Sequence, residues 1–260
     1  MTRAYRAELV RLLRRRVLLL TALLSVVFAF GASVIVLAAA DGPPVPGRTR
    51  TVADLAAAGG GTDVFRVAVA FAGTFVFVVF VGAVAVEFSR GTFRTMLLRQ
   101  PRRVRLLAGK LAALLTYAAC ALAVTEALTW VAARLQAGGA GVDTGAWTSG
   151  AALTAAVADL GAVVLWVTGY AVLGTALAVL LRSVPVALAV GIAWAGPFEH
   201  LVSDAWQPAA RVFPGLLLEA FVAGGTPDVS AGRALATVAA YAAFAAVVGA
   251  AVFARRDVTA

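Results

Sequence analysis

From Val17 to Ala40 the chain runs 24 residues without a charged side chain, and Val67 to Val86, Leu160 to Leu181 and Ala234 to Phe253 repeat the pattern. About 20 apolar residues in a helix cover the roughly 30 Å of a bilayer's hydrocarbon, so runs of this length read as membrane crossings. Only 13% of the 260 residues are charged and 62% are hydrophobic. That leaves too little polar surface to cover a core of this size in water, which excludes a soluble globule. The first run is also too long for the h-region of a secretory signal, about 7 to 15 residues.

The expectation is an all-α integral membrane protein, one transmembrane domain over residues 1–260. Its six transmembrane helices fall at about 17–40, 67–86, 111–133, 160–181, 186–200 and 234–253. A basic amphipathic helix at Thr2 to Arg16 precedes them. Asp41 to Asp63, with its Pro and Gly, reads as an extramembrane loop carrying a short helix at Val52 to Ala58, and Arg134 to Gly150 as a Gly-rich loop. The apolar run Ala151 to Leu181 is longer than one crossing needs, which places its membrane part at Leu160 to Leu181. The insert FPGLLLEAFVAGG, Phe213 to Gly225, is too short to cross and too apolar for open water. It reads as a re-entrant element before the last span, with Phe213 at its entry, Pro214 and Gly215 allowing the chain to reverse, and Leu217 in its apolar body.

With six spans both termini share a side, and 16 of the 22 basic residues lie on it against 6 on the other. The positive-inside rule then puts both termini and the loop after the second span in the cytoplasm. Of the 22 basic residues 21 are Arg and only Lys110 is Lys, a composition bias that points to a GC-rich bacterium and so to a bacterial plasma membrane. The net charge of +9 sits at the ends of apolar runs rather than on a foldable polar surface, so nucleic acid is not the expected partner; the lipid bilayer is.

Enzyme chemistry finds little to stand on. His200 is the only histidine and Cys120 the only cysteine, which excludes a disulfide within the chain and a CxxC pair. No HExxH or GxSxG occurs. Gly109-Lys110 is followed by Leu111 where a phosphate-binding loop needs Ser or Thr, and position 104 is Val rather than Gly. The expectation is a non-enzyme with no catalytic residues, no metal and no cofactor of its own.

The informative segment is Glu87 to Lys110, with seven basic residues against one acid. As a helix, Glu87 to Arg99 sets Glu87, Arg90 and Arg94 on one stripe and Phe93, Met96 and Leu97 on another, ending at Gln100-Pro101. Read alone it is an interfacial connector. The order Glu87, Arg90-Gly91-Thr92, Met96-Leu97-Leu98, Pro101-Arg102-Arg103 and Gly109-Lys110 resembles the corresponding stretch of type 2 ABC exporter membrane subunits, the ABC transporter permease family. The likeness covers the whole chain: basic N-terminal helix, six spans, this loop after span two, the Pro-bearing insert before span six, and Arg255-Arg256-Asp257 at the end.

The resemblance implies a permease subunit of an ATP-driven exporter for a drug, an antibiotic or a lipid. It makes Thr2 to Arg16 the interfacial connecting helix and Glu87 to Leu98 a coupling helix, with Glu87, Arg90, Gly91, Thr92, Phe93, Arg94, Met96 and Leu97 docking on a separate ATP-binding subunit that holds ATP and Mg. A second permease copy, as homodimer or heterodimer, would complete the path.

Ionisable groups within spans are costly, so Glu126 and Asp159 read either as interfacial residues or as the lining of an outward cavity. The five tryptophans fall mostly near predicted span ends and read as an aromatic belt. The rival reading is a secondary transporter or channel working without an ATPase partner.

Overall fold

The structure is a computed structural model and describes residues 2–40, 50–70, 72–99 and 102–256. It is all-α. In chain order the first helices are α1 (Thr2–Leu12), α2 (Arg15–Ala39), α3 (Val52–Ala56), α4 (Gly60–Ala70), α5 (Gly73–Ser89) and α6 (Thr92–Arg99). Then come α7 (Arg103–Gln136), α8 (Gly150–Leu181), α9 (Val184–Ala193), α10 (Glu199–Ala205), α11 (Pro214–Val222) and α12 (Ala231–Arg255). Among the described residues four helices, α2, α7 with its 3-10 extension, α8 and α12, are long and apolar enough to cross a membrane, or five crossings if α4 and α5 form one bent span. Their lipid-facing character shows on the surface: Leu19, Leu23 and Val27 of α2, Phe75 of α5, and Phe244 and Val247 of α12 are all exposed. Such a surface suits hydrocarbon rather than water.

Three expectations need correction, and the helix over the run Ala151 to Leu181 gains a defined start. The second span is not one straight helix: α4 and α5 meet at 61°, at a break where residue 71 lies outside the described residues. The fourth is continuous from Gly150, because Ser149 caps its first turn by accepting from the Ala152 amide at 3.2 Å. The fifth is a ten-residue helix, α9, that passes through a π-helical turn at Trp194–Phe198 into α10. Pro197 inside that turn removes an amide donor, which accounts for the irregularity. Finally, the helix expected over Glu87 to Leu98 is two helices. The break at Arg90 and Gly91 is a turn in which Gly91 adopts φ 64°, a conformation that favours glycine. The expected stop at Gln100-Pro101 and the acid Asp257 lie outside the described residues, as do Asp41 to Thr49 of the first loop.

Contacts set the direction of the long helices. Gly169 faces Val238, Gly249 faces Ala176, and Arg256 reaches the Leu180 carbonyl, so α8 and α12 run parallel. The segment between them therefore returns the chain from one end of the molecule to the other. Paired Thr21 and Tyr117 at 2.6 Å, and Ser25 and Thr125 at 2.8 Å, likewise make α2 and α7 parallel neighbours joined by a polar seam. Such hydrogen bonds between spans are each worth about 0.6 kcal/mol.

The main core gathers Phe65, Phe77, Phe80, Trp166, Tyr170, Leu217 and Phe253. Tyr170 of α8 is buried so close to α5 that a Cβ at Gly73 would stand 2.6 Å from its hydroxyl, so only glycine permits this approach. Trp166 and Trp147 are fully or nearly fully buried, and Trp147 donates to the Leu55 carbonyl at 2.8 Å. These two tryptophans are interior anchors rather than members of a surface belt.

Candidate functional site

The most organised polar arrangement joins four helices at the end of the molecule that holds α1 and the C-terminus of α12. Lys110 of α7 is 2% exposed, and its Nζ lies 2.8 Å from Glu8 Oε2 of α1 and 2.8 Å from Glu87 Oε1 of α5. Arg11 closes the square: its guanidinium lies 2.6 Å from Glu87 and 2.8 Å from Glu8. Glu8, Glu87 and Lys110 are buried, where an unpaired charge is strongly disfavoured, and the exposed Arg11 completes their neutralisation from the surface. The Gly91 turn brings α6 back against this square, so that the Thr92 hydroxyl donates to the Glu87 carboxylate and also reaches the Glu87 carbonyl at 3.1 Å.

Sequence order alone predicted neither this pairing nor two of its members. Glu87 was expected to align with Arg90 and Arg94 but pairs instead with Lys110, 23 residues on. Glu8 and Arg11 were read only as part of a basic helix, although Glu8 is the one acid among six arginines in the first 16 residues.

The faces of α6 also differ from expectation. Phe93 is fully buried, with its ring 4.6 Å from Phe88 and 5.2 Å from Phe253. Met96 and Leu97 pack partly against the same core. The outward face is Arg94, Thr95 and Leu98, the last 83% exposed, continuing from exposed Arg90 and Gly91. Residues 91, 94, 95 and 98 share one side at helical spacing. The aromatic side chain is therefore a rivet into the chain's own core, and the free surface is a mixed basic and apolar strip.

At the opposite end, Asp159 of α8 is buried, accepting from the Thr62 hydroxyl at 2.9 Å and pairing with Arg66 at 3.0 Å. Arg66 also pairs with Asp63 at 3.0 Å, and Asp63 with Arg50. Asp159, Arg66, Asp63 and Arg50 line a shallow cleft of about 370 Å³. At its rim the exposed Asp54 carboxyl is held below the usual carboxylate range by the Thr51 amide and hydroxyl, which form a capping box on α3. Asp159 lines this cleft with its charge already met by Arg66 and Thr62. Glu126 is buried on α7 and is not among the cleft residues.

The Phe213 to Gly225 insert contains α11, whose Leu217 and Leu218 are buried in the main core with residues of α8 and α12 and whose Gly215 is buried beside Glu199. Glu199, 1% exposed, accepts from the Leu216 amide at 2.9 Å and so satisfies a first-turn donor of α11. Gly215 is needed here for space rather than for a reversed backbone: a Cβ would stand 2.4 Å from the Glu199 carboxylate. His200 approaches Glu219 to 3.2 Å. Among the described residues no three His, Cys, Asp or Glu side chains gather as a metal site would require.

Compared with known proteins, residues 49–259 match the model of a family described as protein of unknown function (DUF2705). No curated protein matches the sequence.

Proposed function

We propose, for a chain that belongs to the DUF2705 family, that it is the membrane-spanning permease subunit of an ATP-driven exporter, with six crossings, cytoplasmic termini and a separate ATP-binding partner. The observation that carries the reading is the meeting of Glu87 and Lys110. The first and last residues of the motif that resembles type 2 ABC permeases stand far apart in sequence yet form one ion pair, with Thr92 of the same motif donating to it. In this reading the square couples α6 to α1, α5 and α7, so a push on the exposed strip of α6 is passed to the long helices rather than absorbed by a loop. Two copies of the chain would enclose the path for a hydrophobic or amphipathic substrate in a bacterial plasma membrane.

The test is affinity purification of the tagged chain from its native membranes in mild detergent, followed by identification of the proteins retained. An ATP-binding cassette ATPase in stoichiometric amount is the expected result. Its absence, with transport surviving depletion of ATP, would overturn the proposal. The buried Glu199 beside Glu219 and His200 favours the rival of an ion-coupled transporter, since ionisable side chains inside a membrane protein often mark ion paths. In that case an ionophore, and not ATP depletion, would stop transport.

A further inference from the structure

Beside that corner, and sharing Arg11, Glu87 and Thr92 with it, α5 and α9 leave a groove of about 620 Å³ open to the side of the molecule. Val78, Val79, Gly82, Ala83 and Val86 form one wall at helical spacing, and Leu188 forms the other. Val79 is 64% exposed, so the wall faces outward. From Val78 to Val86 the wall rises about 12 Å, close to the roughly 15 Å of one leaflet's hydrocarbon. At the end of the groove the lining changes abruptly to polar groups, Arg11, Glu87, Arg90 and Thr92, of which the Glu87 carboxylate is already met by Lys110 and Arg11. Arg11 is balanced within the square, whereas exposed Arg90 adds a positive charge that the square does not need.

An apolar channel one leaflet deep with a cationic mouth at headgroup level has the chemistry of a phospholipid. We infer that this groove holds an anionic phospholipid, with an acyl chain along the α5 wall beside Gly82 and its phosphate at Arg90 and Arg11. Glycine at position 82 keeps the channel open, since its nearest neighbour in the groove is a Leu188 methyl 3.9 Å from where a Cβ would stand. Charge argues against a second copy of this chain as the occupant. Two copies related by a twofold axis normal to the membrane would bring Arg90 opposite Arg90 at equal depth. The inference needs only that the chain sits in a bilayer and does not depend on an ATPase partner.

The experiment is native mass spectrometry of the purified chain after incubation with phosphatidylglycerol or phosphatidylcholine, counting lipids retained. Wild type is expected to keep phosphatidylglycerol in preference. Arg90→Gln should cut that retention about fivefold, as the loss of one near-surface cation implies, and Arg90→Lys should restore most of it. Gly82→Leu should reduce both lipids by filling the channel, with elution volume on size exclusion reporting that the variant is folded. Equal retention of the two lipids, or no change in Arg90→Gln, would overturn the inference. So would displacement of the lipid by millimolar inorganic phosphate, which would make the site a free-anion site. A disulfide-linked dimer through Gly82→Cys in a Cys120→Ala background would assign the groove to a second copy instead.

Discussion

Lys110 is the residue on which the corner turns. It is the only lysine among 22 basic residues, it is buried, and it is held between two carboxylates on different helices. Removing one partner of a buried ion pair costs about 3 to 5 kcal/mol because it leaves the other charge unmet. Lys110→Met should therefore lower the thermal unfolding midpoint of the purified protein sharply. The double variant Lys110→Met, Glu87→Gln should be less destabilised than the sum of the two singles. Additive losses would mean that the two groups do not act as a pair. The sequence sets Glu87 and Lys110 at the two ends of one basic stretch, but not in contact, because the turn at Gly91 separates two helices and no periodicity reports it.

At the scale of elements, α6 presents one face to the core and another to the surroundings, and substitutions should divide accordingly. Leu98→Asp removes an exposed side chain and should leave expression and melting unchanged, whereas on the proposed reading it weakens retention of the ATPase. Phe93→Ser should act through stability, since emptying a fully buried aromatic site costs about 3 to 5 kcal/mol. If Phe93→Ser left folding intact and Leu98→Asp left the ATPase bound, the assignment of faces would be reversed. Reading Glu87 to Leu98 as one unbroken helix put Phe93 on a docking stripe. Phe93, Met96 and Leu97 do share one face as their spacing predicts, but that face packs on the chain's own core, because a helical period groups residues without saying what covers them. The bend between α4 and α5 and the π-helical turn before Glu199 were hidden too: each lies inside an apolar run whose composition carries no mark of the break.

For the whole molecule, the long uncharged runs made the all-α, membrane-crossing architecture legible, because the length of an apolar helix is dictated by bilayer thickness rather than by its neighbours. What lay beyond the sequence was everything that depends on contacts between distant segments, such as Trp166 buried in the core and Glu199 capping α11. The structure also gathers α1, α6, the start of α7 and the end of α12 at one end, where Arg103 reaches the Arg256 carbonyl at 2.6 Å and Phe93 meets Phe253. An ATPase can act on α6 only if that end faces the cytoplasm. Single cysteines placed at Leu98 and at Gly139 in a Cys120→Ala background, probed in intact cells with a membrane-impermeant thiol reagent, test this most directly. The account predicts labelling at Gly139 and none at Leu98 until the membrane is opened; labelling of Leu98 from outside would contradict it.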